Sequence, residues 1–384
     1  MTTTILPGQT IGILGGGQLG RMFAIAARRM GYRVHAFDPG EDCPTGQVAD
    51  VEHTHAFDDV DAARAFAEAV DVITFEFENV PTETLAAVAA IRPVHPSPTV
   101  LDTCRHRSRE KQFLSSIGMP TAPYRVTRSQ ADVDAALRDL GFPAILKTAT
   151  FGYDGKGQER LTSTEQARGA FGRLGLKEGV DEAVLEGFID FACELSVVVA
   201  RDVGGNIVCF EPGENAHARH ILDVTIVPAR VSPRVRQDAI AIAHAIAERI
   251  DLVGVLAVEL FLTRDERLLV NELAPRPHNS GHWTFDAATT SQFEQQLRAV
   301  CGLPLGDVGM AAPAVAMANL LGDLWASGAP RFDRALADPH VKLHLYGKER
   351  ALPGRKMGHV VASADDVETA RARVALARAR LTST

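Results

Sequence analysis

The sequence predicts an α/β fold with a parallel sheet in its N-terminal part, followed by an α+β fold with a largely antiparallel sheet. Short apolar runs alternate with helical patterns up to about residue 90, whereas extended runs follow one another between residues 183 and 273. The chain has 384 residues, too many for one core, because domains cluster near ~100 to 150 residues. We therefore expect three units, over residues 1–98, 99–304 and 305–384.

The first unit shows the alternation of strands and helices that is typical of a Rossmann-like domain. Apolar runs at residues 11–14, 33–37 and 72–75 predict buried strands. Helical patterns fit residues 18–30, 62–70 and 82–90, and three prolines between residues 92 and 98 indicate a boundary. Strands separated by helices in this way predict a parallel sheet.

The second unit is richer in strands. Helices at residues 107–115 and 129–140 precede a strand at 144–148 and a glycine-rich loop at 152–157. Extended runs then cover residues 183–186, 195–200, 207–210, 224–227, 255–262 and 268–273, interrupted by one long helix at 233–250. This succession predicts a largely antiparallel sheet. A helix at 291–300 leads to a small C-terminal unit with strands at 314–320 and 341–346 and an arginine-rich helix at 365–381.

Composition narrows the classes of function. The residues are 46% hydrophobic and 23% charged, which is typical of a globular protein. A net charge of −8 gives no basic face for nucleic acid, so we expect no nucleic-acid partner. No apolar run approaches the ~20 residues that a membrane span needs, and no signal peptide is evident. Five dispersed cysteines without a CxxC pair indicate reduced thiols. Because neither a signal peptide nor a membrane span is evident, we expect a cytoplasmic location.

Two glutamates in neighbouring strands indicate a metal site. Centring a hairpin between Asp265 and Glu266 places Glu259 opposite Glu272. Like charges opposed across a sheet repel, so this pair needs a cation, a shared proton or wide solvent access. Carboxylate oxygens suit Mg²⁺, which completes its coordination with water and phosphate oxygens. Two solvated glutamates on a sheet edge remain the alternative.

The loop after Glu272 is dense in hydrogen-bond donors and is stiffened by prolines. Arg276 offers a planar fork suited to phosphate or carboxylate, and His278, Asn279 and Ser280 could orient a second substrate. Upstream, Lys147 lies on the strand that enters the glycine loop, and Lys156 lies within that loop. Backbone N–H groups of such a loop can close over phosphates, although a simple turn has a similar composition.

These elements together resemble the ATP-grasp ligases, in which two α+β lobes clamp ATP. The resemblance rests on the order of Arg107, Lys147, the 152–157 loop, Glu186, Glu194, Glu259, Asn271 and Glu272. More narrowly, the stretches 15–22, 74–79, 214–217 and 271–283 resemble the 5-(carboxyamino)imidazole ribonucleotide synthetases of bacterial and fungal purine synthesis. One departure from the family pattern is His106, where Asn or Asp would be expected before Arg107.

The resemblance implies an ATP site and a metal site. It assigns the phosphates to Arg107, Lys147 and Lys156, adenine to Glu186, Gly187, Phe188 and Ile189, and the ribose and the nucleotide rim to Glu194 and His217. The rest of the ATP-binding set would be Gly152, Tyr153, Asp154, Gly155, Gly157, Gln158, Asn271 and Glu272. Glu259 and Glu272 would bind Mg²⁺, or alternatively Mn²⁺, with Asn271 beside them. Strict alternation along a strand turns Asn271 away from Glu272, so its contact requires a bulge or a strand end.

The resemblance also implies the reaction, in which 5-aminoimidazole ribonucleotide is carboxylated by bicarbonate while ATP becomes ADP and phosphate. The carbon captured by the amine would be that of carboxyphosphate or of CO₂ released from it. Asp154, Arg276 and Lys356 would be catalytic. The substrate-binding set would be Gln18, Leu19, Glu76, Tyr153, Asp154, Arg276, His278, Asn279, Ser280, Lys348, Arg355 and Lys356. The family further implies a homodimer.

Three alternatives remain open from the residues. Gly15, Gly17 and Gly20 after a strand, with Asp38 ending the next one, also fit a nicotinamide-dependent dehydrogenase. That interpretation explains nothing after residue 98. A nucleotide-gated binding module without turnover is a second alternative, and a related ligase that activates formate to formylate glycinamide ribonucleotide is a third.

Overall fold

The structure is a computed structural model that describes residues 4–150 and 156–382. The described residues form three β-sheets, of four, nine and four strands. The first belongs to the N-terminal unit, and the other two face each other across the cleft described below.

The N-terminal sheet is parallel, as predicted. Its strands are β1 (Thr10–Leu14), β2 (Arg33–Asp38), β3 (Val51–Thr54) and β4 (Val72–Phe75), in the order β3-β2-β1-β4, and its helices are α1 (Gln18–Arg29), α2 (Val60–Glu68) and α3 (Thr82–Ala89). The prediction did not include β3, so the strand predicted third along the chain, at residues 72–75, is β4. β3 is an edge strand with no fully buried residue, so it carries no apolar run.

Two helices lead from this sheet into the second unit, α4 (Pro98–Cys104) and α5 (Arg107–Ser116). The prediction took the prolines before residue 99 as a boundary and lacked α4. Pro98 is the first residue of α4, where the absent N–H is not needed, and the Ser97 side chain caps the helix by accepting from Val100 N.

The small antiparallel sheet has the order β5-β8-β6-β7. Its elements are β5 (Tyr124–Thr127), α6 (Gln130–Leu140), β6 (Ala144–Thr148), β7 (Gln158–Leu161), α7 (Thr164–Ala167), α8 (Ala170–Arg173) and β8 (Ala183–Gly187). Leu146 and Leu185 on neighbouring strands pack with Phe171 and Val133 in a core of their own. This sheet therefore carries Lys147 and Glu186 on a separately packed lobe.

The nine-stranded sheet is antiparallel at every described pairing, which confirms the second prediction. Its order is β14-β13-β9-β11-β12-β15-β17-β16, with β10 paired to β9. The elements are β9 (Phe191–Arg201), β10 (Ile207–Cys209), β11 (Gly213–Ala218), β12 (Ile221–Val227), α9 (Pro233–Arg249), β13 (Gly254–Thr263), β14 (Leu268–Ala274), α10 (Thr284–Ala287), α11 (Gln292–Val300), β15 (Ala314–Leu321), α12 (Phe332–Ala335), β16 (Val341–Leu345), β17 (Lys356–Ala364) and α13 (Val367–Arg380).

The large sheet runs on into the C-terminal unit without a break. β12 pairs with β15 from Val224 opposite Ala318 to Val227 opposite Val315, and β15 pairs in turn with β17. The division of the chain at residue 305 stays a prediction. No described helix is both long enough and apolar enough to cross a membrane.

Candidate active site

A cavity of about 1170 Å³ lies where the three units meet. It receives side chains from the carboxyl ends of β1 and β4, from the small sheet, and from β13, β14 and β17. The predicted site residues that line it are Gln18, Leu19, Glu76, Arg107, Lys147, Lys156, Gln158, Phe188, Glu194, His217, Glu259, Asn271, Glu272, Arg276, His278, Asn279 and Lys356. Gly152, Tyr153, Asp154 and Gly155 lie outside the described residues.

Glu259 and Glu272 are direct cross-strand partners, as predicted, but the turn and the register that pair them differ from the prediction. Leu262 pairs with Leu268, so the turn is centred on Asp265 and not between Asp265 and Glu266. A regular ladder from that turn would place Glu259 opposite Asn271. A bulge between Glu259 and Leu260 adds one residue to β14 and restores the pair. The same bulge lets the Asn271 amide donate to Glu259 Oε2 at 3.3 Å.

The surroundings of this pair fit a divalent cation. Burial and the neighbouring Glu272 raise the pKa of Glu259 to about 7. The side chains that approach the two carboxylates do so loosely: Arg107 Nη1 is 3.4 Å from Glu272 Oε2, and His278 Nε2 is 3.4 Å from Glu259 Oε1. Oxygens of two repelling carboxylates, turned into a cleft, are the donor set that Mg²⁺ or Mn²⁺ prefers.

His278 faces Glu259 as a neutral imidazole. Burial lowers its pKa well below the usual value, and nearby Arg276 and Lys356 act in the same direction. Ser280 N–H donates to His278 Nδ1 at 3.3 Å, so Nε2 carries the proton and points at Glu259. Ser280 itself is fully buried against His278 and does not line the cavity.

Gln292, which sequence reasoning missed, holds the backbone of this loop. His278 N–H donates to Gln292 Oε1 at 2.9 Å, and Gln292 Nε2 donates to His278 O at 2.7 Å. The side chain of Gln292 is fully buried at the start of α11. No sequence pattern indicated this role, because a glutamine in a helix is usually solvated. Asn279 exchanges two hydrogen bonds with Asn319, at 3.1 and 2.7 Å, so its amide is also used within the fold.

Arg276 is oriented by Glu78, with Arg276 Nε 2.7 Å from Glu78 Oε1. Glu78 lies in the 74–79 stretch of the resemblance but was given no role. Both residues also line an adjoining chamber of about 480 Å³ together with Arg107 and Glu272. Arg276 Nη1 donates to Pro277 O at 3.3 Å, and the side chain lines both cavities.

The start of α1 is closed to a dinucleotide. Gly17 N–H donates to Glu76 Oε1 and Gly16 N–H donates to Asp38 Oδ2, both at 2.7 Å. A Cβ at Gly17 would lie 2.6 Å from the Glu76 carboxylate, so glycine is required for this approach. These carboxylates take the N–H groups that a pyrophosphate would use, which speaks against the dehydrogenase interpretation.

Lys147 is bound by the carboxylate of Glu186, at 2.7 Å between Nζ and Oε2. Burial alone would raise the pKa of Glu186, but Lys147 and Lys111 outweigh burial and lower it to about 2. The Glu186 carboxylate therefore positions the lysine. After it, Gly187 N–H donates to Pro123 O at 2.9 Å and Phe188 N–H donates to Pro143 O at 3.1 Å. Phe188 lines the main cavity, whereas Ile189 borders a separate one of about 530 Å³.

An apolar slot missed by the sequence interpretation lies between the two lobes. Ile145, Phe191 and Phe261 line the cavity, and the rings of Phe191 and Phe261 stack at 4.7 Å with an interplanar angle of 7°. Phe261 could have been found, because it is two residues after Glu259 and shares its strand face. Nearby, Glu194 Oε2 contacts His217 Nδ1 at 2.5 Å; this pairing raises the pKa of His217, although burial acts in the opposite direction.

The C-terminal lysines meet the N-terminal unit at one edge of the cavity. Lys348 Nζ donates to Gln18 Oε1 at 2.6 Å and to Lys356 O at 2.8 Å. Arg355, by contrast, is exposed, donates to Arg350 O and does not line the cavity. Leu19 contributes to the N-terminal core as well as to the cavity wall.

The departure at His106 leaves Arg107 in the site. His106 occupies the N-cap of α5 without capping it, and its ring contacts Ser108 Oγ at 2.9 Å. Asn or Asp there would supply the cap that histidine does not. Arg107 is still anchored, because its N–H donates to Ala149 O at 2.9 Å.

Comparisons with known proteins show which family the chain belongs to. Family models match three parts of the chain: a ribonucleotide synthetase preATP-grasp domain at residues 8–105, an ATP-grasp domain at 112–293, and a phosphoribosylaminoimidazole carboxylase C-terminal domain at 315–373. An N5-carboxyaminoimidazole ribonucleotide synthase from Bacillus subtilis is 45% identical over 93% of this chain and 92% of its own. The chain belongs to the N5-carboxyaminoimidazole ribonucleotide synthase family. It therefore has the ATP-grasp fold and is an ATP-dependent ligase.

Solved structures of the family superpose over nearly the whole chain. An N5-carboxyaminoimidazole ribonucleotide synthetase in complex with ADP is 42% identical, covers 98% of both chains and gives a TM-score of 0.91. The Aspergillus clavatus synthase, solved with ADP and 5-aminoimidazole ribonucleotide, is 29% identical, covers 97% of this chain and 98% of its own, and gives a TM-score of 0.87. At the level of sequence, an N5-carboxyaminoimidazole ribonucleotide synthase from Brucella melitensis is 45% identical over 93% of this chain and 97% of its own.

Proposed function

We propose that this protein carboxylates the exocyclic amine of 5-aminoimidazole ribonucleotide with bicarbonate, converting ATP to ADP and phosphate. The observation that carries the proposal is one cavity that the Glu259–Glu272 pair lines together with Arg107, Lys147, Arg276 and His278. ATP, as the phosphoryl donor, and bicarbonate, as its acceptor, can therefore meet at the glutamates. The activity of the family supports the same reaction.

ATP would lie between the two lobes. Its base would enter the slot of Ile145, Phe191 and Phe261 and hydrogen-bond to the main chain from Glu186 to Ile189. Glu194, held by His217, would accept from the ribose hydroxyls. Arg107, Lys147 and Lys156 would contact the phosphates, together with backbone groups of Gly157 and Gln158. Lys147 is held rigidly by Glu186, so its charge is placed before ATP arrives.

The metal would be held by Glu259 and Glu272. When bound, Mg²⁺ or Mn²⁺ would neutralise charge that develops on the transferring phosphoryl group. Asn271 would fix the orientation of Glu259 through its 3.3 Å hydrogen bond. The protonated Nε2 of neutral His278 would limit repulsion without adding a positive charge that competes with the ion.

Carbon activation would take place beside Arg276. An oxygen of bicarbonate attacks the γ-phosphorus, the bond from that phosphorus to ADP breaks, and carboxyphosphate forms. The substrate amine then attacks the carboxyl carbon, phosphate leaves, and the nitrogen loses a proton; alternatively, carboxyphosphate first releases CO₂, which the amine captures. Arg276, oriented by Glu78, would hold bicarbonate and then carboxyphosphate. A role of Asp154 in orienting or deprotonating the amine stays a prediction.

The ribonucleotide would lie between the N-terminal and C-terminal units. Lys348 and Lys356 would bind its phosphate, and Gln18, already hydrogen-bonded to Lys348, would close the pocket with Leu19 and Glu76. Arg355 would have to turn from its bond with Arg350 O to reach that phosphate. The proposal includes a homodimer and a cytoplasmic location, which light scattering on the purified protein and cell fractionation test.

A steady-state assay of ADP release tests the reaction. ADP should appear only when ATP, Mg²⁺, bicarbonate and 5-aminoimidazole ribonucleotide are all present. Replacing bicarbonate by formate and the substrate by glycinamide ribonucleotide should give no ADP, which separates this ligase from the formylating one. Tight ATP binding without any turnover would instead support a binding module.

A further inference from the structure

Lys111 is a fully buried lysine for which the proposed reaction has no use. It lies on α5 with no exposed surface and borders neither of the two cavities that contain Arg107. Burying an ammonium group is costly unless its hydrogen bonds and charge are satisfied. The groups that Lys111 contacts therefore indicate which part of the structure it stabilises.

The Lys111 ammonium contacts the main chain at the bulge of β14. Nζ is 3.1 Å from Asn271 O and 3.5 Å from Val270 O. In a regular strand, successive carbonyls point to opposite edges, so one side chain does not reach two in a row. Here both are within reach because Asn271 is the additional residue of the bulge.

The preceding residue of α5 holds the other side of the same bulge. Leu273 N–H donates to Glu110 Oε1 at 2.6 Å, and Glu110 is fully buried as well. β14 is the terminal strand of the large sheet. On its outer edge Val270 N–H donates to Pro120 O, and the side chains of Glu110 and Lys111 supply further partners on both sides of Glu272.

Lys111 also contacts the carboxylate that positions Lys147. Its Nζ is 3.5 Å from Glu186 Oε1, and the other oxygen of that carboxylate holds Lys147. One ammonium group therefore touches both the strand that carries Glu272 and the carboxylate that positions Lys147.

We propose that Lys111 is a positioning residue that locks the β14 bulge and thereby places Glu272 opposite Glu259 for the metal. This inference rests on the proposed metal role of the two glutamates. The competing explanation is that Lys111 only neutralises Glu186. The two explanations differ in what happens when Glu186 no longer carries a charge.

The experiment compares Glu186→Gln with the double variant Glu186→Gln/Lys111→Met, alongside Lys111→Met and the wild type. The double variant removes Lys111 and the Glu186 carboxylate together, so the net charge of this buried pair does not change. Lys342→Met, which alters an exposed lysine on β16, is the matched control. Two quantities are measured: hydrogen exchange of the peptide covering residues 268–274, and ADP affinity by calorimetry with and without Mg²⁺.

If Lys111 locks the bulge, exchange in that peptide rises about tenfold from the single Glu186 variant to the double variant, as expected for losing one hydrogen bond to a charged group. The gain in ADP affinity on adding Mg²⁺ falls by a similar factor. Equal exchange and equal Mg²⁺ gain in these two variants would overturn the inference. If wild-type ADP affinity does not respond to Mg²⁺, the metal role itself fails, and the inference fails with it even if exchange rises.

Discussion

Glu259 and Glu272 oppose each other only because Asn271 is an additional residue in β14. The turn of the hairpin is centred on Asp265, and without the bulge Glu259 would face an amide. The pair is therefore a property of the bulge, and the bulge also brings the Asn271 side chain to Glu259. Such bulges recur where a side chain must be re-aimed at a site.

Replacing Glu272 by glutamine should abolish turnover and leave the fold intact. The substitution keeps the shape of the side chain but removes one of the two negative charges, so kcat should fall by ~100-fold or more. Initial rates of ADP release measure the effect, and thermal unfolding checks the fold. Glu266→Gln, in the exposed turn of the same hairpin, is the control and should keep wild-type activity. A fully active Glu272→Gln enzyme would remove Glu272 from the metal site.

Replacing Arg276 by lysine should weaken the use of bicarbonate specifically. Lysine keeps the charge but loses the planar fork that can bind a carboxylate through two bonds. We expect kcat/KM for bicarbonate to fall ~100-fold, with ADP affinity within about twofold of the wild type. Arg298→Lys is the matched control, since Arg298 makes a two-bond contact with Glu294 away from the cavity. Equal losses for ATP and bicarbonate would contradict the assigned role.

Replacing Gln292 by glutamate should disturb His278 without removing it. Glutamate preserves the shape, but it no longer donates to His278 O. The loop that carries Arg276 and His278 should loosen, and KM for bicarbonate should rise about tenfold, as expected for one lost buried hydrogen bond. Gln295→Glu is the matched control, because Gln295 makes the same two-bond contact with the main chain of Gly306. Similar kinetics in both variants would rule out a special role for Gln292.

The buried histidine His282 should make stability depend on pH. Burial lowers its pKa to about 3, below the value of about 6.5 in the unfolded chain. Between these values the unfolded chain binds a proton that the folded chain does not, so His282 costs stability progressively as pH falls below 6.5. At pH 5 this cost is about 2 kcal/mol, and above pH 7 it vanishes.

The measurement is the difference in unfolding free energy between the wild type and His282→Gln. That difference should shift by about 2 kcal/mol against the wild type between pH 7 and pH 5. His340→Gln, at an exposed position, should show no such shift. A difference that stays constant over this range would mean that His282 protonates without cost in the folded protein.

The pattern of apolar runs predicted both the parallel and the antiparallel sheet, because a buried strand appears in the sequence as a short apolar run. The prediction lacked β3, β5, β7, β11 and β17, whose residues are polar, exposed or interrupted by glycine and histidine. For β17 this had a consequence: the prediction assigned Lys356 to no element, whereas it begins a strand that joins the large sheet. No local sequence pattern shows that two segments far apart in the chain pair in the same sheet.

The site shows a similar limit. Most of the charged residues that the motifs singled out line one cavity, because their chemistry is visible in the sequence, and their roles stay predictions. Lys111 and Gln292 were missed since a polar residue in a helix is usually solvated, and only packing of α5 and α11 against the cleft buries them. Ser280, Lys348 and Arg355 were expected in the substrate pocket, but none of the three lines the described cavity.

The most direct test of the proposed carboxylation is a product analysis with ¹³C-labelled bicarbonate. The protein, ATP, Mg²⁺ and 5-aminoimidazole ribonucleotide should yield one ADP per molecule of ribonucleotide, and the label should appear in a carbamate on the exocyclic nitrogen. ADP formation that does not depend on the ribonucleotide, or a product without the label, would contradict the proposed function.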